Sequence, residues 1–535
     1  MIYLRNKKHT RKGVFMNTIQ NPIIPGFHPD PSVCRVNDTY YLVTSSFEYF
    51  PGVPIFTSKN LKDWTLIGHC LTRTSQLPLD GCQNSEGIYA PTIRYHDGYF
   101  FMVTTNVSGG GNFIVHTKNP SGEWSEPAWV RQGGIDPSLL FVDDKTYFIS
   151  NGDCEGNSGI YLCEINPLTG EMLTESTLIS TGCGGKYPEA PHLYYINHEF
   201  YLMLAEGGTE YGHMVTIQKS TSPWGPFTPC PHNPILSNRN IPNGADVIAC
   251  TGHADLIEDT HGNWWMVALG VRTICTKHNS ILLHNLGRET YLTPVTWKSG
   301  YPIAGNNGIL QMNIPTILPE VTTLENTVKN PILSETFSSE HWNLEFTHIR
   351  NPHLENYFLN FKDRCLVLKG CDSLCKPCVS PTFLGVRQNS FFQAAKVTIS
   401  GMPENENSLA GLSVYYTNEH HYDLGIALRN DVRCLVLRRQ IYDLITETAI
   451  IPLSVETVDL QIESDKEYYY FYYFTPSHEK IFLGQGTTAA LCTEITRHMT
   501  FTGTFFGIFA EHMTATFRNF TRQNLNIQEP KAKEF

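Results

Sequence analysis

The 535-residue sequence predicts an all-β chain of two domains, a five-bladed β-propeller over residues 16–315 and an antiparallel, lectin-like β-sandwich over residues 333–535. Three observations carry this reading. Short runs rich in Tyr, Phe, Val, Ile and Trp, broken by Gly, Asn, Asp and Pro turns, far outnumber long amphipathic helical patterns. One two-strand unit recurs five times along roughly the first 270 residues. Past residue 315 the repeat stops and a different series of strand-like runs follows.

The chain opens with MIYLRNKKHTRKGVF, which has no apolar stretch of secretory length and no small-residue cleavage site. Met16 directly precedes the patterned sequence, so residues 1–15 read as a flexible extension or a mis-called start and stay outside the fold. The five repeat units then read DPSVCRVNDTYYLVTSS from Asp30, APTIRYHDGYFFMVTT from Ala90, DPSLLFVDDKTYFISNG from Asp136, APHLYYINHEFYLMLAEGG from Ala190 and HADLIEDTHGNWWMVALG from His253. Each is a short strand, a polar turn and an aromatic-rich strand. The second member of the aromatic pair (Tyr41, Phe100, Phe148, Tyr201, Trp265) advances by 59, 48, 53 and 64 residues, the length of a four-stranded blade. Segments such as TSKNLKDWTLIG, HTKNPSGEWSEP and QKSTSPWGPFTP, each with a Trp after a polar turn, supply the outer edges.

Residues 316–332 read as a Pro-containing linker without periodicity. From Leu333 the runs RCLVL, FFQAAKVTI, LAGLSVYY, YDLGIAL, RCLVLRR, TVDLQI and EYYYFYYF, separated by turns, predict the sandwich.

Bulk properties narrow the partners. The formal charge, 39 − 51 = −12, argues against nucleic acid and an anionic membrane surface, and no apolar run reaches the roughly 18 residues of a membrane span. A neutral ligand fits better, and an aromatic content of 12% suits sugars, whose C–H faces stack on rings. Fifteen cysteines, an odd number with no pairing pattern, favour a reducing compartment, and with the N-terminus they predict a cytoplasmic protein. Cys365, Cys371, Cys375 and Cys378 lack the two-pair spacing of zinc sites and read as ordinary buried thiols.

The repeat also locates a site. Innermost strands of a propeller surround a central channel, so equivalent strand entrances converge near the axis. At that position, or one before it, lie Asp30, Tyr89, Asp136, Glu189 and His253. A single Asp-Pro-Ser begins a turn and means little. Two of them at equivalent positions, joined by Glu189, make three carboxyls whose mutual repulsion keeps one protonated while another stays ionised. Glycoside hydrolysis by inversion needs that division, with the two carboxyls roughly 6.5–9.5 Å apart.

At these residues the chain resembles glycoside hydrolase family 43, within it the two-domain β-xylosidases and α-L-arabinofuranosidases. The resemblance runs from Asn21 onward and rests on NPIIPGFHPDPS, SSFEYFPGVPIF, GIYAPTI, GIDPSLLF, YPEAPHLYYI, AEGGTEYGH, TGHADLIE and LGRET. It implies that Asp30 is the general base, that Glu189 is the general acid, and that Asp136 tunes and orients that acid. It further implies that Arg288 binds substrate hydroxyls, Phe47 walls the terminal sugar subsite, and His253 lies at the channel floor. The sandwich would cap the channel, with Phe505 projecting to its mouth. Two departures stand out: Tyr89 replaces a frequent Trp, which alters sugar stacking, and Ala190 replaces the usual Gly beside the acid.

The activity so implied is inverting, exo-acting release of terminal β-D-xylosyl or α-L-arabinofuranosyl units from short plant-cell-wall oligosaccharides. No cofactor is required, and a calcium ion near His253 and a homo-oligomer are left open. Two other classes compete. A non-catalytic carbohydrate-binding propeller would have lost a carboxylate, and all three are present. A sugar phosphorylase would cluster cations beside the base, where Arg288 and His253 are the candidates.

Overall fold

The computed structural model describes residues 18–154, 156–241, 247–276, 279–315 and 332–526. The extension assigned to residues 1–15, and the linker except residue 332, lie outside the described residues. Among them there is no α-helix, and five four-stranded antiparallel sheets follow one another in the first domain. Blade one pairs Ser32–Val36, Thr39–Val43, Gly52–Ser58 and Thr65–Leu71; blade two pairs Thr92–His96, Tyr99–Asn106, Gly111–Thr117 and Ala128–Trp129. Blade three comprises Ser138–Val142, Lys145–Cys154, Asn157–Glu164 and Thr177–Ser180; blade four comprises Glu189–Ile196, Glu199–Glu206, Met214–Ser220 and Thr228–Pro229. Blade five pairs Ile248–Glu258, Trp264–Arg272, Glu289–Lys298 and Tyr301–Ala304, with a small hairpin inserted before its third strand.

The repeated aromatic pair has a packing reason. Neighbouring residues on a strand point to opposite faces, so one member fills the seam toward the preceding blade and the other the seam toward the next. Tyr40 packs between blades five and one while Tyr41 packs between one and two. Phe100 and Phe101 divide in the same way, as do Tyr147 and Phe148, Phe200 and Tyr201, and Trp264 and Trp265. Five such seams make the propeller core. The ring closes where Thr18–Gln20 pairs with Asn313–Pro315, and Asn21 donates from Nδ2 to the carbonyls of Leu292 and Gln311 at 2.9 and 2.8 Å.

Blades are also laced at the axis by one buried carboxylate. Asp255 Oδ2 accepts from Ser32 Oγ (2.7 Å), Val33 N (3.1 Å) and Arg94 Nη1 (2.8 Å), and Oδ1 accepts from Tyr194 OH at 2.7 Å. Blades one, two and four thus converge on a residue of blade five. Burial pushes Asp255 up, but Arg94, His192 and Ser32 overcome it and keep the group far below the carboxylate range.

The sandwich has an eight-stranded and a six-stranded sheet, beginning at Leu333–Glu335. Side chains between the sheets, among them Leu412, Leu424, Leu460, Phe471 and Phe506, form the largest core. The six-stranded sheet is covered on its other face by the propeller, so Leu409–Thr417 and Phe505–Glu511 are buried at every position, whereas Thr457–Ser464 of the other sheet alternates. The two domains share backbone pairing, His348–Ile349 with Tyr49–Phe50, and buried Arg350 donates to the carbonyls of Cys82 and Val379 at 2.7 and 2.9 Å. No disulfide or cluster of three metal-binding side chains occurs among the described residues. Of the four closely spaced cysteines, Cys365 is buried as expected, but Cys371, Cys375 and Cys378 are only partly buried because they lie on or beside the loop leading to Thr382–Arg387.

Removing one partner of a buried, multiply bonded charge leaves the others unpaired. Asp255→Ala should therefore cost about 3–5 kcal/mol in urea-monitored unfolding. Asp38→Ala, which breaks an exposed pair with Lys59, should leave the unfolding midpoint nearly where it is in the wild type.

Candidate active site

The strand entrances meet at one end of the channel, and a shared backbone feature aims them. Asp30, Asp136, Ala190 and His253 take left-handed φ values of 55°, 54°, 48° and 42°. Asp and His tolerate this region better than most residues, but Ala adopts it at a cost. In blade four the pairing register slips between Glu189 and His192, and in blade five it slips on both sides of Gly252. Bulges of this kind re-aim side chains. At the fifth entrance Tyr89 donates its hydroxyl to Ser85 O at 3.1 Å.

Three carboxyls in this space carry different charges. Asp30 Oδ2 accepts from Ser45 Oγ at 2.6 Å, Oδ1 accepts from Arg288 Nη1 at 3.0 Å, and His253 Nδ1 lies 3.5 Å from Oδ1. Burial alone would raise Asp30, but Arg288, His253 and Ser45 outweigh it and hold the group below the usual carboxylate range. Asp136 has a weaker donor set: its Oδ2 accepts the Ala190 N–H at 3.2 Å. Burial, then the charges of Glu189 and Asp30, drive Asp136 well upward. For Glu189, burial and then Asp30 raise the pKa to about 7 against the pull of Arg288. One ionised carboxylate, Asp30, therefore shares the channel with two carboxyls, Asp136 and Glu189, whose protonated forms are favoured.

The imidazoles beside them are neutral. Burial first, and Arg288 second, lower His253 against the opposing pull of Asp30. Burial also brings His213 down to about 4, and its Nδ1 lies 3.0 Å from Cys250 O. A Cβ at Gly252 would lie 2.4 Å from the His213 ring, so only glycine fits there. The surroundings of His253 do not form a protein-built calcium cage, which needs six to eight oxygen ligands. The neighbouring Asp30 oxygens are already taken by Arg288 and Ser45, and an ion there would rest mainly on waters.

Arg288 ties the site to the sandwich. Besides Asp30, its Nη1 reaches Thr209 Oγ1 at 3.0 Å, and its guanidinium lies over the rings of Phe47 and Phe501 at 5.5 and 5.2 Å. The preceding Gly287 approaches Gly503 closely, since a Cβ on Gly287 would sit 3.0 Å from the Gly503 Cα. The Gly of the LGRET motif thus lets the sandwich backbone close over the channel.

The expected aromatic residues divide. Phe47 lies 5.1 Å from Tyr89 and 5.7 Å from Phe501, ring centre to ring centre, and is itself buried, so the half-buried Tyr89 and Phe501 present the open ring surface. Phe505 is not at the mouth. It is fully buried at the domain interface, stacked on Tyr49 at 4.2 Å and edge-on to Phe27 at 6.1 Å. The sandwich reaches the mouth through Phe501, whose N–H donates to Ser85 Oγ at 2.9 Å. Sequence reasoning missed Phe501, Ser45, Thr209 and His213, although Ser45 opens the SSFEYFPGVPIF block and Thr209 and His213 lie within AEGGTEYGH.

The raised acid destabilises the fold where it ionises. A group lifted from an ordinary 4.5 to about 7 contributes stability that is complete below 4.5 and lost as pH rises through 7. Glu189→Gln, which cannot ionise, should melt above the wild type at about pH 8, with the gap closing toward about pH 5.

Comparison with known proteins agrees with this geometry. Residues 19–302 match the model of glycosyl hydrolases family 43, and residues 334–521 match the β-xylosidase C-terminal concanavalin A-like domain. A non-reducing end α-L-arabinofuranosidase of Bacteroides ovatus is 41% identical over 92% of this chain and 91% of its own length. A β-xylosidase of Bacillus subtilis is 33% identical over 94% of this chain and 99% of its own. The crystal structure of a xylan β-1,4-xylosidase from Bacillus halodurans, 30% identical, superposes with a TM-score of 0.86 over 95% of this chain and all of that one. The fold, the paired domains and these relatives together show that the chain belongs to glycosyl hydrolase family 43 and is a glycosidase.

Proposed function

We propose that the protein removes terminal β-D-xylosyl or α-L-arabinofuranosyl units from the non-reducing ends of short oligosaccharides, with inversion at the anomeric carbon. The observation that carries this is the opposite displacement of two carboxyls within one channel, Asp30 held down and Glu189 held up. Relatives named as an arabinofuranosidase and a β-xylosidase support the sugar class.

In this reading Glu189 gives its proton to the glycosidic oxygen as the bond from that oxygen to C1 breaks. Asp30 takes a proton from a water whose oxygen bonds to C1 from the opposite face, so the free sugar and the alcohol leave and no glycosyl-enzyme forms. Arg288 keeps Asp30 ionised and offers donors to sugar hydroxyls. Asp136, accepting the Ala190 N–H, positions the residue next to the acid and so acts on Glu189 rather than on substrate. The sandwich covers the channel mouth through Phe501, and a mouth covered in this way suits a chain end better than a running polymer, which supports exo-action.

A phosphorylase needs cations free to hold phosphate. Here the Arg288 guanidinium is engaged with Asp30 and Thr209, and His253 and His213 are held neutral.

Four outcomes test the reading. Asp30→Asn and Glu189→Gln should each lower kcat/KM on unactivated oligosaccharides by about a hundredfold to ten-thousandfold. Glu189→Gln alone should recover on aryl glycosides with good leaving groups, which need no proton. The wild-type kcat/KM should fall above about 7, where Glu189 loses its proton, and on the acid side only below roughly 3.9, the ordinary Asp value. An alkaline limb that survives in Glu189→Gln would overturn the assignment. Xylo- or arabino-oligosaccharides should yield monosaccharide first; internal fragments appearing before it would refute exo-action.

A further inference from the structure

We propose that Tyr187 and Tyr211 form the platform that binds the leaving-group sugar. The inference rests on the pentosidase reading above and adds where the remainder of the oligosaccharide lies. Glu189 protonates the glycosidic oxygen, so the departing sugar must lie on the Glu189 side of the channel. Tyr187 stands two residues before Glu189, which keeps the two Cα atoms within about 7 Å. Its ring flanks Gly208, where a Cβ would be 3.4 Å from Tyr187 Cδ2. Gly208 is followed by Thr209, the acceptor for Arg288, and Tyr211 lies two residues further along the same turn. Tyr187 thus lies against the turn that carries Thr209 and Tyr211, between the segment of the acid and the partner of the arginine.

Both rings are open to solvent, 65% at Tyr187 and 49% at Tyr211. Tyr187 also holds φ at 51°, a left-handed conformation that a bulky side chain adopts only at a cost. Exposure of a large ring and backbone strain both work against stability, and strain of this kind collects at functional sites. The segment that carries Tyr187 is rigidly held. Buried Glu206 accepts from Cys183 N at 2.6 Å, Gly185 N at 2.5 Å and Thr216 Oγ1 at 2.8 Å, and Gly207 N donates to Lys186 O at 2.6 Å. A fixed, solvent-facing tyrosine pair beside an acid fits the C–H face of a sugar, which stacks on rings.

The test compares kcat/KM on xylotriose or arabinotriose with kcat/KM on the matching β-D-xylopyranosyl or α-L-arabinofuranosyl fluoride, because fluoride departs without reaching the platform. Tyr187→Ala should lower the ratio of oligosaccharide to fluoride by about tenfold, and Tyr187→Phe should retain it, since stacking needs only the ring. Tyr211→Ala should shift the ratio in the same direction. A ratio unchanged in both alanine variants, or equal losses on both substrates, overturns the proposal. A wild-type protein inert toward both fluorides and both oligosaccharides would instead sink the pentosidase reading, an outcome distinct from a flat ratio.

Discussion

The buried carboxylate of Asp255 is the constraint from which the site follows. It gathers donors from blades one, two and four onto blade five, which holds the innermost strands in one register around the channel. With those strands fixed, the residues at their entrances have no choice but to meet. The same axis shows why carboxyls of like chemistry meet different fates. Asp255 has two hydroxyl donors, a backbone amide and a guanidinium and stays ionised despite full burial; Asp136 has one amide and is driven toward the neutral form. Donors, more than burial, decide which carboxyl carries charge.

Arg288 applies the same rule where the chemistry is done. Its guanidinium faces Asp30 directly and Glu189 only at longer range, so it holds the first down while burial and the Asp30 charge lift the second. The arginine is itself fixed from the second domain, beneath the ring of Phe501 and beside the Gly287–Gly503 contact. The sandwich is therefore part of the active site's construction. The strands Leu409–Thr417 and Phe505–Glu511 of its six-stranded sheet are buried on both faces, and separating that sheet from the propeller would expose Phe27, Tyr49 and Phe505 together.

Much of this was legible in the sequence because repetition converts spacing into geometry. The aromatic pairs could be read since each pair fills two seams, and any blade lacking them would leave gaps on both sides. Entrance positions could be read because equivalent residues of a propeller converge. Asp255 escaped notice, although it lies inside the fifth repeat unit, because its meaning depends on Arg94, Ser32 and Tyr194 from three other blades. The resemblance placed Phe505 at the mouth, and strand alternation could not correct it, because both Phe505 and Phe506 are buried on a strand covered on its two faces. Phe501 sits in an extended stretch outside any strand, where no periodicity marks it. Ser45 and Thr209 are small polar residues whose roles appear only with their partners, Asp30 and Arg288.

Asp30 and Glu189 act as separate base and acid, with water rather than a carboxylate attacking the anomeric carbon. Proton NMR of the first sugar released from a pentoside of known configuration tests it most directly. The new monosaccharide should appear with the opposite anomeric configuration and only afterwards mutarotate. A first product that retains the substrate's configuration would require a covalent intermediate and would contradict it.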